Sequence, residues 1–326
     1  MKFIDMHCDT LMKLLFNPEV NTNLFSAPEC SVDFDKMKRG DQLAQFFAVF
    51  LPPRQYFDHE GKSDITDEMY IAEMRKILLT NVEKYNDIIA MAYSAEDVEK
   101  NLANGKMSAI LTMEEGRAVD GKMENIKRFY DDGFRAIALT WNFVNCFGSP
   151  NSTDESIMKA GLTPFGKEAV EYMQTLGMLV DVSHLSEGGF WDVVDVCKKP
   201  FIASHSNCRA LSSHQRNLWD EQIKALANKG GVSGINFAPA FLNADQNDEH
   251  STAAAMAKHI LHFINVGGIE CVGMGTDFDG IGGKLEIADS SMMGMLVDEL
   301  AKNGLSEDMI EKVFYKNVLR VMRDAL

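Results

Sequence analysis

No stretch of this sequence approaches the roughly 18 consecutive apolar residues that a membrane-crossing helix requires, so a spanning segment is not expected. The opening Met1-Lys2-Phe3-Ile4-Asp5-Met6-His7 lacks the apolar core of a secretory leader, because Asp5 and His7 interrupt it. Basic residues are few beside acidic ones: 32 Lys+Arg against 48 Asp+Glu give 32 − 48 = −16. That charge repels a phosphate backbone and argues against a nucleic-acid partner. An anionic substrate would need a local basic anchor. The six cysteines, at positions 8, 30, 146, 197, 208 and 271, form no CxxC pair and fall short of a disulfide-stapled domain. Free thiols in a reducing cytoplasm are the simplest expectation. No Pro/Ser/Gly-rich linker, low-complexity tract or fixed-period repeat divides the chain, so residues 1–326 read as a single domain.

What the sequence does contain is an alternation. Short apolar, β-rich runs cover Phe3 to His7, Leu43 to Leu51, Ser108 to Met113, Ala136 to Trp141, Leu179 to Ser183, Phe201 to Ser204, Val232 to Phe237 and Cys271 to Gly275. Between them lie amphipathic stretches such as Asp67 to Tyr85, Met123 to Asp132, Thr163 to Leu176, Gly188 to Lys198, Asp220 to Lys229 and Thr252 to Val266. Ser94-Ala95-Glu96-Asp97 and Thr163-Pro164 carry helix-start signals, while Gly133, Gly177, Gly230-Gly231 and Gly267-Gly268 suit helix ends turning back into strands. Strands that alternate with helices pair in parallel, and eight of them predict a TIM-like (β/α)8 barrel. A last helix, Ser306 to Ala325, is expected to pack outside that barrel.

A barrel of this kind gathers the C-terminal ends of its strands on one face, so residues far apart in sequence can meet there. The first run ends in His7-Cys8-Asp9, whose period-2 alternation puts His7 and Asp9 on one side of the backbone, able to offer a nitrogen and an oxygen to one metal. Alone this is weak, since a strand end capped by Asp9 looks the same. The third run ends in Met113-Glu114-Glu115, and only one of the two adjacent carboxylates can face the barrel mouth. Such a carboxylate could lie between two cations, damping their repulsion. His184 follows Asp181-Val182-Ser183 and His205 follows Ala203-Ser204, at two successive strand ends. A single histidine there is more often a hydrogen-bonded one, but the set of three histidines, one aspartate and one glutamate suits two zinc ions. Asp277, in Gly275-Thr276-Asp277-Phe278-Asp279-Gly280, could work as an acid/base beside them, whereas Asp279 reads equally well as a turn acid. Arg216, eleven residues beyond His205, could supply the missing anchor for a substrate carboxylate.

These segments, in this order, resemble the membrane (renal) dipeptidase family of zinc peptidases. The resemblance runs from Asp5-Met6-His7-Cys8-Asp9 through Asp181-Val182-Ser183-His184, Ser204-His205-Ser206 and Arg216-Asn217 to Gly275-Thr276-Asp277-Phe278-Asp279-Gly280. It implies hydrolysis of dipeptides with a free C-terminal carboxylate, including some that end in a D-residue, by two zinc ions on a distorted barrel. It also implies that His7 and Asp9 hold one zinc and His184 and His205 the other. Glu114 would bridge them, Asp277 would be the acid/base and Arg216 would hold the substrate carboxylate. A homodimer is suggested as well. The chain departs from the pattern where better-known members carry Leu-Thr-His, for it has Leu139-Thr140-Trp141-Asn142. Indole offers only one N–H donor and an apolar wall. Trp141 and Asn142 therefore become substrate-contact candidates, with Asn145 a further donor for an oxyanion, and altered selectivity is expected. The competing readings are another metal-dependent amidohydrolase acting on a cyclic amide, lactone or acyl-amino acid, and a non-catalytic barrel that only binds a ligand.

Overall fold

The computed structural model describes residues 1–16 and 22–326. Eight parallel strands close into a barrel: β1 (Phe3–Cys8), β2 (Gln42–Phe50), β3 (Met107–Glu114), β4 (Phe134–Ala138), β5 (Leu179–Asp181), β6 (Ile202–Ala203), β7 (Val232–Ile235) and β8 (Val272–Met274). Asp5 pairs with Met274 on one side of β1, and Ala44 through Phe50 pair with Ser108 through Glu114, which completes the circle. Each run expected from the sequence is a barrel strand. Several end sooner than expected, because residues past the last ladder bond are claimed by loops and side chains: Ser183 N–H, for example, donates to Asp181 Oδ1 at 2.9 Å. Among the described residues three strands were not anticipated: His250–Ser251 and Lys284–Leu285 pair in parallel as a small separate sheet, and a third borders the barrel. Ile89–Met91 pairs with Met107–Ala109, ahead of the point where β4 joins at Leu111; three residues without β-branched alternation are too short to stand out in sequence.

The connecting helices begin where the caps foretold. Ser94 accepts from Asp97 N–H to open Ala95–Ala103, and Thr163 accepts from Gly166 N–H to open Pro164–Leu176. Each cap contributes about 1 kcal/mol. Gly177 ends the second helix with φ +76°, a left-handed conformation that any side chain would strain. The helices pack Leu, Ile, Val, Phe and Met side chains onto the outward faces of the strands, and this is the larger of the two apolar clusters.

The smaller cluster fills the lower barrel. Ile4, Met6, Phe46, Ile110, Leu179, Ile202 and Val232 point inward there. Onto them fold Val318, Leu319, Val321, Met322 and Ala325 of the last helix. That helix therefore plugs the N-terminal mouth of the barrel and does not pack outside it as its position in sequence suggested. It runs Glu307–Ala325 with one wide π-helical turn over Lys312–Lys316. Its apolar stripe reads in sequence like any helix flanking a sheet, which is why its location could not be inferred. Among the described residues, no helix is long and apolar enough to cross a membrane.

Candidate metal centre and substrate cleft

The upper end of β1 shows how the site is built. Ile4 and Met6 face the barrel interior, yet Cys8 faces the outer helices beside Phe3. Between Asp5 and Cys8 the register against β2 slips, Asp5 opposing Gln45 and Cys8 opposing Phe47. Three residues thus advance where the neighbour advances two, a bulge that switches the inward set from even to odd numbers. His7 and Asp9 thereby both turn to the mouth, as the alternation required. Asp5 secures the bulge by accepting from Thr276 N–H (2.8 Å) and Thr276 Oγ1 (2.7 Å) at the end of β8.

Glu114 is the last residue of β3 and lies on the same face as Ile110, so its side chain enters the mouth. The neighbouring Glu115 takes φ +75° and turns away, accepting from Trp141 N–H at 2.8 Å and Asn145 Nδ2 at 2.6 Å. His184 follows β5 with φ +67°, and its carbonyl accepts from Asn151 N–H, Asn151 Nδ2 and Thr140 Oγ1. His205 follows β6; its N–H donates to Ser183 Oγ at 3.1 Å and its Nδ1 lies 2.8 Å from Ser204 Oγ. Asp277 follows β8 with φ +61°, one oxygen fixed by Asn236 Nδ2 at 2.8 Å. Glu115, His184, Asp277 and Asp279 are four of the six non-glycine residues with positive φ among the described residues. Strain of this kind costs roughly 1–3 kcal/mol per residue and gathers where function demands it.

These side chains converge. His184 Nε2 lies 3.0 Å from Glu114 Oε1 and His205 Nε2 3.7 Å from it, while His7 Nε2 lies 3.3 Å from Glu114 Oε2 and 3.5 Å from Asp9 Oδ2. Asp277 Oδ1 approaches His7 Nε2 to 3.8 Å. Donor atoms of His7, Glu114 and His205 all fall within 4.8 Å of one another, as do those of His7, Asp9 and Asp277. All six side chains are buried. A Cβ on Gly280 would collide with Asp9 Oδ2, so the loop after β8 must carry glycine to lie so close.

Two features fit this set to cations. His7 Nε2 and Asp9 Oδ1 are buried without a hydrogen-bond partner, a costly condition unless something else engages them. In addition, His184 Nε2 and His205 Nε2 face each other at 3.0 Å, both beside Glu114. Neutral imidazole nitrogens flanking a carboxylate are borderline-soft and hard donors of the kind that divalent transition metals take.

Electrostatics point the same way. Burial disfavours the charged form of every group here, and neighbours decide the outcome. Glu114 is held well below the usual carboxylate range despite burial, because His7 and His184 face it. Burial pushes Asp9 up to about 6, with Glu114 adding repulsion. Asp277 is pushed up to about 7 by burial, then by Asp9 and Glu114, with His7 opposing. Burial and Arg216 bring His184 down to about 3, and His205 lies well below its ordinary value for burial and the positive charge of His7. Of the three histidines only His7 rises, Glu114 and Asp9 overriding burial.

The centre forms the floor of a cleft of about 810 Å³. Trp141 lines one wall, its ring 4.9 Å from that of Phe50. Arg216 also lines the cleft and is buried, with Nη1 donating to Ser206 Oγ and Nη2 to the His205 carbonyl, both at 3.2 Å, and Nε left without a partner. Burial lowers its pKa to about 10, which leaves it charged at neutral pH. Asn142 borders the cleft too, but its Oδ1 sits 3.2 Å from His184 Nδ1. Asn145, a candidate oxyanion donor in sequence, is spent: its Nδ2 bonds to Glu115 and to the Leu139 carbonyl. Asp279 is the turn acid, receiving Thr10 Oγ1, Lys13 Nζ and Ser31 N–H. Sequence reading missed Asn236, Ser183 and Ser204, which hold Asp277 and His205; polar residues just past strand ends were the only signal.

Comparison with known proteins agrees with this geometry. The family model described as "Membrane dipeptidase (Peptidase family M19)" matches residues 1–326. Dipeptidase tcpJ of Claviceps purpurea is 30% identical over 300 residues, covering 90% of this chain and 69% of the relative. The crystal structure of a dipeptidase of the same peptidase family superposes with a TM-score of 0.88 at 26% identity, covering 100% of this chain and 98% of the other. A Rhodobacter sphaeroides metallopeptidase, liganded with a phosphinate mimic of L-Ala-D-Ala, superposes with the same TM-score of 0.88 at 26% identity, covering 100% and 99%. With the match spanning every residue and the convergent histidine and carboxylate donors in place, the chain belongs to the membrane dipeptidase family of metal-dependent peptidases.

Proposed function

We propose that this protein is a binuclear zinc dipeptidase that hydrolyses dipeptides with a free C-terminal carboxylate, including those ending in a D-residue, and that residues 1–326 form one catalytic domain. The observation that carries this reading is the convergence of three imidazole Nε2 atoms on the two oxygens of Glu114, below a cleft that holds one buried guanidinium. In this scheme His7 and Asp9 would hold one zinc and His184 and His205 the other, with Glu114 as the ligand they would share. The ions would supply Lewis-acid polarisation of the scissile carbonyl and an acidified water. The relative that takes an L-Ala-D-Ala mimic supports a D-residue at the C-terminal position.

The remaining work falls to side chains of the chain itself. Arg216 receives the substrate carboxylate: its two Nη contacts are long at 3.2 Å, so a charge-assisted pair can form there without first breaking a strong one. The carboxylate then fixes the peptide across the floor and brings its carbonyl over Glu114 and the histidines. Asp277, poised near neutrality, takes the proton released by the attacking water and delivers it to the departing amine nitrogen. Asn236 leaves one oxygen of Asp277 for this transfer by occupying the other. Trp141 and Phe50, which pack together and line the cleft, wall off solvent and set which side chains fit.

Six free cysteines support a reducing compartment, the cytoplasm. A homodimer belongs to the same reading and is checked by analytical ultracentrifugation. The experiment that tests the function is metal analysis of purified protein together with hydrolysis of L-Ala-L-Ala and L-Ala-D-Ala. Two equivalents of zinc with turnover of both are expected; one equivalent, or turnover of amides lacking a free carboxylate alone, would refute it.

A further inference from the structure

We propose that Asn142 is a positioning residue for His184 and that Glu115 holds Asn142 in place, so that two residues outside the donor set govern how tightly the metal at His184 is bound. This rests on the reading of His184 as a ligand.

The backbone of His184 is already immobilised. Its carbonyl accepts from Asn151 N–H (2.6 Å), Asn151 Nδ2 (3.1 Å) and Thr140 Oγ1 (3.2 Å). What these bonds leave undetermined is the ring: its rotation, and which nitrogen carries the proton. Asn142 Oδ1, 3.2 Å from Nδ1, restrains the rotation and favours the proton on Nδ1. With the proton on Nδ1 and donated to that oxygen, the Nε2 lone pair is free to face Glu114 and a cation. His205 receives the same service from Ser204 Oγ at 2.8 Å, so each inner histidine has a polar partner on its outer nitrogen.

Asn142 is itself exposed and could not hold this position alone. The loop that bears it is pinned on both sides by the single carboxylate of Glu115, which accepts from Trp141 N–H (2.8 Å) through Oε2 and from Asn145 Nδ2 (2.6 Å) through Oε1. Asn145 passes the constraint on, with Nδ2 to the Leu139 carbonyl and Oδ1 to Phe147 N–H, both 2.8 Å. The adjacent acids Glu114 and Glu115 thus divide the labour: one enters the donor cluster and the other fixes the loop that orients a member of it. An amide also differs from a carboxylate here. By turning over, Asn142 can serve either histidine tautomer, whereas an aspartate can only accept and so selects the proton on Nδ1.

Three variants test this. Asn142→Leu should weaken zinc, read by competition with a chromophoric chelator, by roughly 10–100-fold at one of the two sites. Asn142→Asp should restore it, and in the metal-free protein the ¹⁵N shifts of the His184 ring should report the Nδ1-protonated form in Asn142→Asp, a majority of it in the wild type and a more even mixture in Asn142→Leu. Glu115→Gln, which keeps one acceptor oxygen, should fall between. Unchanged zinc affinity and ring shifts in Asn142→Leu, with only a raised KM, would overturn the proposal and return Asn142 to a simple substrate contact. His184→Ala separates this from the underlying reading: if that variant also keeps both zinc ions, the ligand assignment fails first.

Discussion

The two mouths of the barrel are made from the same eight strands, yet they are built on opposite principles. At the lower mouth Ile4, Met6, Phe46 and Ile110 meet Val318, Leu319 and Met322 of the last helix in an apolar plug. At the upper mouth three histidines and three carboxylates are buried together, two of their atoms lack partners, and residues with positive φ cluster around them. The first arrangement gains free energy from every contact; the second spends it on desolvated charge and strained backbone. The contrast teaches that the lower half supplies stability so that the upper half can hold groups no stable fold would otherwise keep.

If that division holds, variants at the two ends should fail in different ways. The largest effect is expected at the upper mouth: His205→Ala should reduce hydrolysis by at least about 100-fold and remove bound metal, beyond what loss of an outer partner costs. Elemental analysis beside a rate assay checks it, and the unfolding midpoint of the metal-free protein should not fall. The lower mouth should behave in reverse. Met322→Ala opens a cavity in the plug and should cost roughly 2–5 kcal/mol in denaturant unfolding, while bound metal per folded molecule and kcat stay as they were. A parallel loss of activity in the folded fraction would show that the plug shapes the site as well.

A third expectation concerns His259, which braces the segment after β6. His259 is buried, accepts Cys208 N–H at Nδ1 (3.1 Å) and lies 3.0 Å from the Leu242 carbonyl through Nε2. Burial lowers its pKa from 6.5 to about 4. Because the folded value lies below the unfolded one, the unfolded chain binds the proton first. Its stabilising contribution is complete above pH 6.5 and is lost as the pH falls towards 4, by about 3 kcal/mol at most. Unfolding of metal-free protein at pH 7 and pH 4.5 measures this, and the difference should shrink in His259→Gln. The mildest effect is expected at Arg216, the proposed carboxylate anchor. Arg216→Ala should raise KM for dipeptides by roughly 10–100-fold, the 1.5–3 kcal/mol of a charged hydrogen bond, with metal content unchanged. A KM that hardly moves would mean the carboxylate is held elsewhere.

Much of the upper mouth was legible from local pattern. His7, Asp9, Glu114, His184, His205 and Asp277 each follow a β-rich run, and strand ends of a parallel barrel have only one place to meet. The residues around them were not legible. Asn236, Ser183 and Ser204 are ordinary polar residues until Asp277 and His205 are placed beside them, and Asn145 looked free until Glu115 turned towards it. Apart from Ser204, which adjoins His205, these hydrogen bonds join residues 22 to 41 positions apart and leave no period in a sequence.

The sequence by itself determined the alternation of strand and helix, the caps, the family and the roll of donor side chains, because each depends on residue type and short-range spacing. Tertiary structure decided the rest: that a bulge at Asp5–Cys8 swings His7 inward, that Glu114 enters the mouth and Glu115 leaves it, and that the last helix closes the floor. Those outcomes depend on which surfaces meet once the barrel has closed, and that information is carried by contacts between distant residues and not by any one segment.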